Sequence, residues 1–327
     1  MMGAVGRNTN TAIAEQTAKG SEADAFQKLR ATSNSLEETV DIAQSEALLG
    51  KRFTDDQFAI GYSAGGSIDA ELDTDTIGLL LKHAIGDEDS APEDINSDGS
   101  FYKHIFTPSQ DVDLAGWLTI MKVILGSEAY WEKFIDCRIN QITFNITSQS
   151  VVTMSLDTVG ISSSDGAGSP SETLDDEGQT KLFAWEAGVT WKSSDIKAIV
   201  DDATITHNNN IDDADFGLYR ERRSLDPQDG EHTVDLTLQF SASDYADMKT
   251  DLTEGNSIAV DIEVGSTNTE SDSVLKFSYP ALKLQTVSAP VSDAGKITVS
   301  VTGLAVWDNE SGYNVAVELV DETETQY

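Results

Sequence analysis

The stretch Phe134–Leu156, FIDCRINQITFNITSQSVVTMSL, returns 145 residues later and without a gap as Tyr279–Val301, YPALKLQTVSAPVSDAGKITVSV. The chemistry is kept down the pairing. Phe134 matches Tyr279, Arg138 matches Lys283, Ile139 matches Leu284, Ile142 matches Val287, Thr143 matches Ser288, and Ser155 matches Ser300. Each copy reads as a hairpin-like β segment. The separation is too long for a solenoid unit of ~20–50 residues, so the repeat predicts a duplicated β domain. A duplicated chain can replace two subunits of a symmetric ring, which points to assembly rather than catalysis.

The flanks extend the match. Asp75–Ile85 predicts a short helix with Asp75 as N-cap and Gly86 at its end. Asp244–Gly255 has a similar length, an opening Asp and a closing Gly. Alternating strands precede both helices, Ile68–Leu72 in the first half and Asp235–Phe240 in the second. The first half is longer between helix and hairpin by about two dozen residues, part of them the acidic loop Asp87–Ser100. The predicted division is a polar N-terminal arm over 1–45, a first β domain over 46–165 with a loop insertion about 87–106, a Gly/Ser/Asp-rich linker over 166–181, a second β domain over 182–320, and a mobile acidic tail over 321–327. His207-Asn208-Asn209-Asn210 predicts a turn with a left-handed residue after a strand.

Asp and Glu number 57 against 21 Lys and Arg, for a formal net charge of -36 spread along the 327 residues. Such self-repulsion is costly in dilute salt and largely screened above ~1 M, where the Debye length is ~3 Å. Two origins fit: a halophile, or an ordinary acidic bacterial or phage protein. A surface that grips nucleic acid needs clustered Lys and Arg, and a net charge of -36 points away from one. A surface that DNA passes without sticking is compatible. The single cysteine, Cys137, excludes an intrachain disulfide and a CxxC redox site. No apolar run approaches ~18–20 residues, so no membrane partner is expected, and the expected place of synthesis is a host cytoplasm.

Candidate chemistry is sparse. Asp94, Asn96 and Asp98 match the opening of a calcium loop, but position twelve is Ile105 rather than a bidentate Glu. They are the only metal candidates, for a weakly bound cation, against the alternative of a solvated acidic loop. No cofactor is expected. His83, His104, His207 and His232 are far apart in sequence and lack metal-ligand spacing. No nucleophile, phosphate or dinucleotide motif appears, so the expectation is a non-enzyme without catalytic residues. Tyr219-Arg220-Glu221-Arg222-Arg223 is the one basic cluster. Arg220, Arg222 and Arg223 are candidates for bidentate pairing with a neighbouring subunit's carboxylates, or for a local ion-pair network. Lys51 and Arg52 stand at the matching place in the first half.

The hairpin Phe134–Gly160, Ile196–Ile211 (IKAIVDDATITHNNNI), Arg222–Phe240 (RRSLDPQDGEHTVDLTLQF) and Tyr279–Gly303 together resemble the tail tube proteins, or major tail proteins, of long-tailed, siphovirus-like viruses, the two-domain type. The resemblance covers most of 48–320 and lies in layout and strand texture rather than in a sharp motif. It implies a mainly β fold of two tandem β-sandwich or barrel domains, each flanked by a short helix. It also implies trimeric, pseudo-hexameric rings stacked around an acidic lumen for genomic double-stranded DNA. Tape measure, tail terminator and baseplate proteins would be partners in the virion tail, and the acidic composition adds a haloarchaeal virus as source. Met1–Asp41 and Gly86–Phe106 are then the candidates for ring-to-ring contacts. A baseplate adaptor or capsid decoration, a halophilic surface or adhesin β protein, and a β-sandwich enzyme are the competing readings.

Overall fold

Period-two burial runs through most of the chain, and the computed structural model, which describes residues 9–45, 56–86, 88, 91–95, 97, 99–108, 116–125, 129–175, 181–184, 187–196, 199–216, 218–265, 274–290 and 297–327, is mainly β. The chain opens with β1 (Thr9–Gln16), β2 (Ala25–Leu29), β3 (Ala31–Asn34), β4 (Glu37–Gln44) and the long β5 (Gln57–Glu71), then α1 (Thr74–Ala84). Short β6 (Glu93–Asp94) and β7 (Tyr102–Phe106) lead to β8 (Trp117–Ile124), the eighteen-residue β9 (Tyr130–Thr147), β10 (Thr153–Gly160), β11 (Ser162–Ala167) and β12 (Thr173–Asp175). The second half runs β13 (Gly188–Trp191), β14 (Ser194–Asp195), β15 (Val200–Asn208), β16 (Glu231–Gln239), α2 (Ala242–Glu254), β17 (Ser257–Gly265), β18 (Val274–Ser288), β19 (Thr298–Ala305) and β20 (Ala316–Asp321).

The two repeated stretches are the same hairpin. β10 on β9 sets Ser155 opposite Thr143, Leu156 opposite Ile142 and Thr158 opposite Ile139, with Asn140 bulged out. β19 on β18 sets Ser300 opposite Ser288, Val301 opposite Val287 and Gly303 opposite Leu284, with Gln285 bulged out. Every one of these positions is displaced by 145, the bulge included. A one-residue slip would exchange core and solvent faces, so shared register is a stringent match. The equivalence continues outward. β8 pairs Ile120 with Phe134 as β17 pairs Val260 with Tyr279, each with an irregularity just before. Pro280 falls in the second irregularity, where a missing N–H costs nothing.

On the other side of the hairpins, β5 places Ile68 opposite Leu156, and β16 places Leu236 opposite Val301. Five residues after each comes a helix N-cap, Asp73 for α1 and Ser241 for α2. The offset here is 168 rather than 145, so the first half holds 23 extra residues between helix and hairpin. The predicted helices are present but begin earlier than expected: Asp73, not Asp75, accepts the Thr76 amide. Gly255 closes α2 at φ 67, a left-handed angle that favours glycine.

The halves share one body. β5, β10, β9, β15, β16, β19 and β18 follow one another in a continuous antiparallel sheet. The first half of β9 turns into a second sheet between β8 and β11, and β1 and β2 extend it. One buried apolar cluster takes in Ile13, Ile68, Leu80, Phe144, Ile205, Phe277 and Leu319. Phe144 and Phe277 meet within it, ring centroids 5.0 Å apart.

Several expectations are corrected. Residues 9–44 are not an arm without core: β1 pairs with β8 along its whole length, and Ala12, Ile13, Phe26 and Leu36 are buried. The insertion about 87–106 ends in a core strand, because β7 pairs with β20 and buries His104 and Phe106. The predicted linker over 166–181 contains strand: Gly166 and Ala167 end β11 on β9, and β12 runs parallel to β2. The tail 321–327 folds back: Tyr327 hydrogen-bonds Asp321 and lies against Gly78 of α1. Asn210 has φ 47, the left-handed turn residue expected after β15. Among the described residues no helix is long and apolar enough to cross a membrane.

Candidate functional site

Three surface features follow from this strand arrangement. The first is a pair of unpaired strand edges. Among the described residues β3 and β4 pair only with β5, and β18 beyond Lys283 pairs only with β19. Backbone groups on such edges are templates for another strand. Side chains occupy them in the free chain. Lys122 Nζ donates to the Leu36 carbonyl at 2.7 Å, the Leu36 amide donates to Asn34 Oδ1 at 2.9 Å, and Lys249 Nζ donates to the Val287 carbonyl at 2.5 Å.

The second feature is a two-stranded ribbon. β10 stops pairing with β5 at Ala64, so β4 and the first part of β5 run on as a pair beyond the sheet. It carries Val40, Ile42, Phe58 and Ile60, exposed at 40, 60, 52 and 55%. Val40 and Ile42 share one face of the ribbon and Phe58, opposite Ala43, lies on the other, so the ribbon exposes apolar side chains on both faces, as contact segments do. Nothing in the alternation of Phe58 and Ile60 along the sequence distinguishes core from contact.

The third is the basic cluster, which the structure splits. Arg222 is structural: its side chain is 9% exposed, Nη1 donates to the Ala64 and Gly160 carbonyls at 2.9 and 3.0 Å, and Nε donates to the Asp213 carbonyl at 2.7 Å. It thus caps the end of the β5–β10 pairing. Arg223 grips Asp215 of its own chain with Nε and Nη2 at 3.0 and 2.8 Å, largely in solvent. Arg220 is exposed, and its carbonyl accepts the Tyr62 amide of β5. Leu218 is fully exposed and Tyr219 largely so, giving the loop an apolar tip. An open groove of about 480 Å³ runs between this segment and Lys19, Asp136 and Ile161. Lys51 and Arg52 lie outside the described residues.

The remaining candidates are placed as follows. Asp94 accepts the Gly99 amide at 3.0 Å; Asn96 and Asp98 lie outside the described residues. Among the described residues no three His, Cys, Asp or Glu side chains gather as a metal site. Two histidines that sequence spacing left apart do meet, because β15 and β16 pair His207 with His232. Their Nδ1 atoms are 3.2 Å apart, His232 Nε2 is 3.0 Å from the Tyr279 hydroxyl, and His207 Nε2 is 3.0 Å from Asn209 Oδ1. Asn209 then donates to the Ala84 and Ile139 carbonyls. With one proton between each pair, every group is satisfied and both imidazoles are neutral. Burial holds the His207 pKa down at about 4 and that of His232 well below its usual value. The relay ties together strands from both halves. Cys137 is buried and its thiol pKa is raised by that burial, the state of an inert thiol.

No curated protein matches the chain. A family model described as phage tail tube protein matches residues 6–305, from before β1 to the end of β19. The chain therefore belongs to the phage tail tube protein family, as a structural component of the virion tail that assembles with itself into a tube.

Proposed function

We propose that this chain builds the tube as stacked rings of three copies, each copy filling two positions of a near-sixfold ring, so that its two halves act as tandem domains. The observation that carries the reading is the common register of the two hairpins, bulges included. Two equivalent units in one chain supply the repeat that two subunits would otherwise supply. The lumen is acidic, in keeping with the net charge of -36, and genomic DNA passes it without specific binding. The virus infects a halophilic archaeon, where high salt screens the charge. Tape measure, terminator and baseplate proteins are its partners in the tail.

Rings stack through the apolar ribbon of β4 and β5, so that only the end of the predicted arm, β4, keeps a ring-to-ring role, while β1 and β2 of that arm and β7 of the 87–106 segment supply core strands. No catalytic role is assigned. Expression of the protein alone in molar salt, followed by negative-stain imaging, tests the reading. Hollow rings or tubes are the expected result, and monomers or solid particles would refute it.

A further inference from the structure

The joint between the two halves is itself a strand pairing: β15 lies antiparallel on the second half of β9, with Ile205 opposite Phe144, Thr206 opposite Thr143, His207 opposite Ile142 and Asn208 opposite Gln141. Both partners have a counterpart elsewhere in the chain. β9 corresponds to β18 at an offset of 145. β15 corresponds to the β3–β4 segment at an offset of 169. Ala203 faces Leu236 of β16 where Asn34 faces Ile68 of β5, and Thr206 faces Thr233 where Glu37 faces Gly65.

Among the described residues the counterparts do not meet within one chain, and they are the two unpaired edges. We propose that they meet between chains: β18 of one copy pairs antiparallel with the β3–β4 segment of the next, in the register of the internal joint. This sets Leu36 opposite Ala289, Glu37 opposite Ser288, Glu38 opposite Val287 and Thr39 opposite Thr286 of the neighbouring copy. The inference rests on the ring reading and specifies its seam.

A set of contacts not used in that mapping agrees with it. On an antiparallel edge, backbone groups of alternate residues point outward. Ser35 donates to the Ser67 carbonyl of β5, which turns Leu36 outward; its amide and carbonyl are accordingly the groups held by Asn34 and Lys122. The Val287 carbonyl, held by Lys249, points off the other edge. The outward residues Leu36 and Glu38 are thus the ones the template sets opposite Ala289 and Val287. Lys122, Asn34 and Lys249 act as stand-ins for the neighbour's backbone and are displaced as the ring closes. Lysine on an open edge also disfavours unregulated pairing.

Because Leu36 and Ala289 would form a hydrogen-bonded pair, Glu37 and Ser288 form the closer kind, with Cα atoms about 4.5 Å apart, within disulfide reach. Both side chains are exposed, and buried Cys137 does not compete. The double variant Glu37→Cys/Ser288→Cys, assembled and then oxidised, is expected to run as a covalent trimer on a non-reducing gel, and Thr39→Cys/Thr286→Cys likewise. Glu37→Cys/Val287→Cys, slipped by one residue to opposite faces, is expected to stay monomeric. Rings seen by electron microscopy without either expected cross-link, or with the slipped one, overturn the seam and leave the tube reading standing. Absence of rings in the unmodified protein overturns both.

Discussion

Replacing Arg222 by Met separates a structural arginine from a contact arginine. Met keeps much of the apolar stem but removes three donors aimed at the Ala64, Gly160 and Asp213 carbonyls. Ala64 and Gly160 are the last paired residues of β5 and β10. An acceptor left without its buried partner costs roughly 1–3 kcal/mol. Asp213 is mostly solvated and recovers water, so the two strand carbonyls dominate and the sum is about 3 kcal/mol. With an unfolding entropy of about 2.1 cal/mol/K per residue, a chain of 327 residues loses about 1.5 °C per kcal/mol, or about 4–5 °C in Tm. Arg223→Met removes an exposed ion pair worth about 0–1 kcal/mol and shifts Tm by about 1.5 °C or less. Circular dichroism melts of the unassembled protein, side by side, read both. Equal shifts for the two variants would refute the division of roles within the cluster.

Four further outcomes are expected. Burial opposes charge on His207 and His232, so their contribution to stability is full above pH ~6.5 and is lost as pH falls through about 4. His104 has the opposite sign: burial disfavours its charge, but Asp321 and Glu88 more than offset this and raise its pKa. In a melt series the loss of Tm between pH 6.5 and 4 is therefore larger for the natural protein than for a His232→Phe variant, and identical pH profiles would contradict the neutral relay. Ser241→Ala removes the capping box of α2, costing ~1 kcal/mol or about 1–2 °C; no change would mean that α2 is held by packing alone. Ile42→Thr/Phe58→Thr/Ile60→Thr leaves the melt of the subunit within about 1 °C and rings intact but abolishes long tubes in micrographs; unchanged tube length would remove the ribbon from stacking. Moving tubes from molar salt to ~0.1 M lengthens the Debye length to ~10 Å and disassembles them, as light scattering would show; full stability in dilute buffer would count against a halophilic source.

The duplicated hairpin was legible because strand register leaves a local trace. Ile142 and Val287, or Ser155 and Ser300, keep their character to stay on the same face. Both helices were legible from their acidic openings and closing glycines, though Asp73 rather than Asp75 caps the first, since two acidic residues flank Thr74 and only packing chooses between them. What sequence reading missed is non-local. Ala12 and Ala14 look like filler in a polar segment, yet pairing with β8 buries them. His207 and His232 become neighbours only through the pairing of β15 with β16. The roles of Arg222 and Arg223, adjacent and chemically identical, diverge because one points at strand-end carbonyls and the other at a solvated aspartate.

The central claim is that one chain stands for two positions in a ring, and end-on electron-microscopy averages of rings assembled in molar salt test it most directly. Three chains around a hollow centre, with strict threefold symmetry and a strong sixfold component, is the predicted image. Six chains per ring, or a ring without the sixfold component, would contradict it.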